Sequence, residues 1–175
     1  MGKLLKITGV IFIGFVLVSI ACSIMGYTLV IPLSQNNLDK TAATFKAGRQ
    51  LNPFAGFDFT KGDWQAYIVI SPSDLTDLHP SIPNHGCLKT SDRKVLIRMQ
   101  KDWKFKANGW DMATVQSTFY LVRNHKVMFE SGIVLDKQRQ GLQNPQYGWM
   151  EPVPTAGIIN TCKQFKTVYW PIVFL

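Results

Sequence analysis

The sequence predicts an α+β protein, mostly antiparallel β, with one N-terminal transmembrane helix followed by a single disulfide-tied, β-rich extracytoplasmic domain. Three observations predict it. The stretch from Ile7 to Leu33 carries no charge, with Lys3 and Lys6 ahead of it and the next charge at Asp39. Beyond it lie runs rich in β-branched and aromatic residues, the clearest being WQAYIVI at Trp64 to Ile70. Two cysteines, Cys87 and Cys162, fall outside the uncharged run, and two thiols in an oxidising compartment pair.

The uncharged run is longer than the about 20 apolar residues that cross a bilayer as a helix. Lysines on its short leading flank and none on the trailing one predict a cytoplasmic N-terminus and an exported remainder. The expected location is the inner membrane, single-pass, with the main domain periplasmic or extracellular. Two rival readings share the export. In one, Ser19-Ile20-Ala21 is a signal-peptide cleavage site before Cys22; in the other, Cys22 is lipidated. The anchor is preferred because apolar residues continue from Ile24 to Leu33, and a signal h-region is shorter. Residues 1–33 are thus stub and anchor, 34–50 a tether with a short helix from Leu38 to Gln50, and 51–175 the domain. Pro32 is the expected helix stop.

The exported part is large enough to bury a core. The formal charge of the chain is +8, and subtracting Lys3 and Lys6 leaves about +6 on the domain. Acidic partners are expected over basic ones: anionic lipid headgroups, cell-wall polymers or an acidic protein. Export excludes nucleic acid as an expected partner.

In chain order, Phe54, Phe57 and Phe59 fall between Pro53, Gly56 and Gly62 and read as loop residues that pack inward. Trp64 to Ile70 is a strand. Ser71 to Gly86 is a long proline-punctuated loop, of a length that is functional or tied down, with Cys87 as the expected tie. A bond from Cys87 to Cys162 would close a loop of about 75 residues. Val95 to Ala107 alternates, with Val95, Ile97, Met99, Trp103, Phe105 and Ala107 on one parity. Read as a strand, it puts Arg98, Lys104 and Lys106 on a shared basic face. Asn108-Gly109 supplies a turn signal.

Val115 to Arg123 and Lys126 to Leu135 read as a hairpin. Val115, Phe119, Leu121, Val127, Phe129, Ile133 and Leu135 are all odd-numbered, so only a loop with an odd number of residues places them on one face. A loop of three or five residues around Asn124 is predicted. The segment from Lys137 to Pro154 shows no usable period, and Tyr147 and Trp149 read as anchors that fold it onto the sheet. Thr155 to Phe165 reads as a helix carrying Cys162. Thr167 to Leu175 is a last β-like run that Pro171 demotes to an edge.

Chemistry is sparse. There is no Gly-rich phosphate loop, no G-x-S-x-G elbow, no H-E-x-x-H and no C-x-x-C. The one concentration of reactive side chains is Asp74, Asp77, His79 and His85 in the Ser71 to Gly86 loop, followed by Cys87. These are zinc or copper ligand types, but Cys87 is assigned to the disulfide, so no metal and no cofactor are expected. The loop becomes the candidate binding surface, and Arg98, Lys104 and Lys106 the candidate basic face. The expected function is non-enzymatic: a membrane-anchored extracytoplasmic binding protein with a protein partner, acting as accessory subunit of an envelope assembly or as an immunity-type inhibitor. The alternatives are a hydrolase or metal-dependent enzyme using His79 and His85, and an anionic-lipid-binding envelope protein.

Overall fold

The computed structural model describes residues 2–25, 27–31, 48–108, 115–154, 156–170 and 172–175. The elements are α1 (Gly2–Ile24), β1 (Leu29–Ile31), β2 (Gln50–Leu51), β3 (Trp64–Val69), β4 (Cys87–Thr90), α2 (Arg93–Asp102), β5 (Phe105–Ala107), β6 (Thr118–Arg123), β7 (Lys126–Leu135), β8 (Gln140–Asn144), β9 (Gly148–Pro152), α3 (Ala156–Cys162), β10 (Lys166–Thr167) and β11 (Ile172–Phe174). Among the described residues, one antiparallel sheet runs β10-β4-β3-β6-β7-β8-β9-β5-β2, and β1 pairs in parallel with β11 as a second, two-stranded sheet.

Strand parity sorts side chains into two cores. Ala66, Ile68, Leu88, Phe119, Leu121, Phe129 and Ile133 meet Val95, Leu96 and Met99 of α2 and Ile158 and Cys162 of α3 on one face. Phe54 and Phe59 are buried there as expected, Phe54 edge-on to Trp103, Phe119 and Phe129 at centroid separations of 5.6, 5.8 and 5.1 Å. The other face holds a smaller core of Tyr67, Cys87, Val122 and Val127, roofed by Val173 and Leu175 at the β11 end of the chain.

The uncharged run does not form one helix. It is divided: α1 ends at Ile24 with Tyr27 N donating to Cys22 O (2.8 Å), and Leu29–Ile31 is drawn into β1 by pairing with β11. No helix among the described residues is long and apolar enough to cross a membrane. That overturns the predicted transmembrane anchor and the single-pass inner-membrane placement that rested on it. The tether and helix predicted over 34–50 and the stop at Pro32 lie largely outside the described residues; Gln50 belongs to β2, opposite Lys106.

The predicted disulfide is also overturned. Cys87 and Cys162 are free thiols, both fully buried. Cys87 points into the β1–β11 side of the sheet, whereas its neighbour Leu88 and the α3 residue Cys162 belong to the helix side. The sheet stands between the two sulfurs. Burial pushes the Cys87 thiol up to about 12, with Lys89 pulling weakly the other way, and burial alone raises Cys162.

Val95 to Ala107 is not a strand. Arg93–Asp102 is α2, opened by Asp92, whose side chain accepts from Lys94 N at 2.8 Å. Val95, Leu96 and Met99 are buried while Ile97 is 41% exposed, which is the helical period and not the alternating one. Only Phe105–Ala107 is extended.

The hairpin between β6 and β7 refutes the predicted loop length. Arg123 pairs with Lys126 across Asn124 and His125 alone, whose φ values of 49° and 60° suit a type I′ turn. The odd count is supplied inside the strand. The register shifts between Leu121 and Val122, so that Val122 faces Val127, Leu121 faces Phe129, and Met128 is the extra residue of a bulge. Val127 therefore enters the small core while Phe129 enters the large one.

The segment after Asp136, which showed no period, holds the β8–β9 hairpin. Trp149 is buried and lies across Gly141, where a Cβ would come within 2.5 Å of the indole, so only glycine fits beneath it. The last β-like run docks on β1, and its Pro171 lies outside the described residues.

Candidate functional site

The long loop from Ser71 to Gly86 closes over the end of the sheet where β3 finishes and β6 begins. Ser71 N donates to Ser117 Oγ (3.0 Å), Ser117 Oγ donates to Asp74 Oδ2 (2.5 Å), and Ser73 Oγ donates to Gln116 Oε1 (2.6 Å). Farther along, Leu78 is buried and bridges to Asp136, His79 N donates to Leu135 O (2.8 Å) and Lys137 N to Asp77 O (3.2 Å). These bonds tie the loop; Cys87 does not.

Between the loop and the end of β7 lies a cleft of about 410 Å³. Ile70, Leu78, Val115, Ile133 and Leu135 give it an apolar floor, and Asp74, Asp77, Asp136 and Arg139 give it charged walls. Val115 reaches the wall by leaning over Gly132, where a Cβ would sit 2.7 Å from its Cγ1. The size and the mix of apolar floor with few convergent polar groups are those of a ligand site.

The three carboxylates differ in what holds them. Asp74 is fixed by Ser117. Asp136 Oδ1 accepts from Gln138 N (2.8 Å) and from Arg139 N, an Asx arrangement that sets the turn between β7 and β8. Asp77 is exposed, and its carboxylate takes part in no hydrogen bond or ion pair among the described residues. Among those residues no group of three His, Cys, Asp or Glu side chains is arranged to hold a metal ion. The walls thus carry three separated carboxylates and one guanidinium, that of Arg139, along the cleft.

Of the residues singled out in the sequence, Asp74 and Asp77 line this cleft. His79 lies in a neighbouring hollow with Ser81, Lys137, Gln140 and Asn160, and its Nδ1 accepts from Ser81 N (3.2 Å). His85 Nδ1 accepts from Cys87 N (3.3 Å), and its ring stands edge-on to Tyr169 at 5.2 Å. Both imidazoles are engaged with backbone two residues on, and neither lines the cleft. The predicted basic face is also dispersed. Arg98 is on α2 with Nη1 donating to Gln164 Oε1 (3.2 Å), Lys104 follows that helix, and Lys106 is on β5 directly across from Glu151.

Val115, Ser117, Asp136 and Arg139 were missed by sequence reasoning. Asp136 alone had a local signal, an Asp closing an apolar strand ahead of a polar turn. Compared with known proteins, the chain matches no family model, no curated protein and no solved structure.

Proposed function

We propose that this chain is a non-enzymatic binding protein, an accessory subunit or an inhibitor of a protein partner, and that the cleft beside the Ser71 to Gly86 loop holds a basic side chain of that partner. The observation that carries the reading is an apolar-floored cleft walled by three carboxylates, Asp74, Asp77 and Asp136, against one cation, Arg139, in a chain whose net charge is +8. A lysine or arginine side chain fits such a place in both halves, its methylenes on Ile70, Leu78 and Leu135 and its charged head among the carboxylates. Ser117 supports binding over catalysis as well, since its hydroxyl proton is directed to Asp74 with no histidine among the described residues that line the cleft.

The test is titration of the chain with short peptides that carry lysine or arginine between apolar residues, against the same peptides with acetylated lysine or citrulline. Asp77→Lys changes an exposed side chain and leaves the fold in place. It should weaken the basic peptides at least about tenfold, because a like charge meets them in the cleft. Equal affinity of the wild type and Asp77→Lys, or of charged and neutralised peptides, would refute the proposal.

A further inference from the structure

A second surface lies on the opposite side of the main sheet and owes nothing to the cleft. In the β1–β11 sheet, Val30 and Val173 face each other and turn inward to the small core. The alternate residues Leu29, Ile31, Ile172 and Phe174 therefore form an outer apolar face, with Leu29 49% and Phe174 54% exposed. Tyr27 flanks it at one end, and Tyr169 and Trp170, just ahead of β11, are 78% and 70% exposed. Apolar and aromatic surface of this kind, left together and uncovered, marks an interaction site.

Charge decides what covers it. The charged side chains that stand on this face of the sheet beside Tyr67 are Lys89 and its partner Lys166, while Glu130 stands on the same face three strands from Lys89, opposite Tyr120. Lys89 and Lys166 are partners across β4 and β10, so both project from the face that β1–β11 roofs, and Lys89 Nζ lies 5.0 Å from the centre of the Tyr67 ring. The carboxylates of the cleft belong to other segments of the chain. A second copy of this chain is a poor occupant, because it would bring these lysines against their own counterparts. Tyrosine and tryptophan beside lysine are the side chains that settle at the headgroup level of a bilayer, rings among the acyl boundary and cations among the phosphates.

We infer that the outer face of β1–β11, with Tyr169 and Trp170 and the adjoining Lys89 and Lys166, docks on an anionic lipid surface. The contact is made by a strand face and two rings, and it needs no helix among the described residues to cross the bilayer. Trp170 is the reporter in a Trp110→Phe background, since Trp64, Trp103 and Trp149 are buried and Trp110 lies outside the described residues.

The experiment uses the full chain with vesicles of phosphatidylcholine, alone or with about one-third phosphatidylserine, both carrying brominated acyl chains that quench a tryptophan at the interface. Quenching is expected on the anionic vesicles, relieved by salt and absent in Trp170→Phe. Partition should fall by more than about tenfold in the double variant Lys89→Glu, Lys166→Glu, since each juxtamembrane cation contributes about fivefold. Undiminished quenching in Trp170→Phe, equal partition of the charge-reversed variant, or equal binding to phosphatidylcholine alone would overturn the inference. Cross-linking of Tyr169 or Trp170 to a second copy without lipid would overturn it too.

Discussion

The two faces of the main sheet solve the same burial problem with unequal means. The helix side is deep: α2 and α3 cover it, and Phe54, Trp103, Phe119 and Phe129 interlock edge-to-face within it. The β1–β11 side is thin, a handful of side chains under a two-stranded roof. The contrast teaches that strand parity does more than separate inside from outside here. It decides which of two cores a residue joins, and so which distant residues it can ever touch.

The largest effect expected from this contrast is on stability. Phe54→Ala removes the ring shared by four aromatic neighbours, Phe57, Trp103, Phe119 and Phe129, and should cost about 3–5 kcal/mol in chemical denaturation. Val173→Ala, on the thin side, should cost only about 1.5 kcal/mol for the two carbons lost. Equal losses would mean that the two cores are energetically one.

A smaller effect follows from Cys87. Its folded pKa, about 12, lies above the ordinary thiol value of 9.0, so the neutral thiol is favoured by folding. The resulting stabilisation is complete below about pH 9 and is lost as pH rises from there toward 12, at up to about 1.4 kcal/mol per pH unit. The stability difference between the wild type and Cys87→Ala, measured by urea unfolding, should be flat below pH 9 and shrink above it. A difference that stays constant to pH 11 would show that the thiol is solvated in the folded chain.

The smallest expected effect is none. Because Cys87 and Cys162 belong to opposite cores, dithiothreitol should leave Tm unchanged. A drop in Tm on reduction would mean that the sulfurs meet after all, and the two-core description would fail.

What the sequence made legible were the features that depend on neighbours in the chain. Trp64 to Ile70 is β-rich by composition, and β6 and β7 alternate strongly enough to be found. The inward packing of Phe54 and Phe59 follows from their crowding. Val95 to Ala107 misled because Val95 and Met99 satisfy both periods at once, leaving Leu96 and Ile97 as the deciding pair. The Asp92 cap ahead of them would have tipped the reading to a helix. The β8–β9 hairpin was hidden by its polarity. Gln140 and Asn144 are buried because Gln140 Nε2 donates to Asp136 O and Asn144 Nδ2 to Glu130 O, contacts that no local pattern announces. Half of the cleft was visible in Asp74 and Asp77. The rest came from residues some forty to sixty positions later, brought there by the pairing of β3 with β6 and of β6 with β7.

The separated thiols have one more consequence. Nothing in this fold waits on an oxidant, and no covalent bond distinguishes the chain made among reductants from the chain made without them. Its stability rests on packing and hydrogen bonds, with no bridge between Cys87 and Cys162 to be made or lost when the redox environment changes.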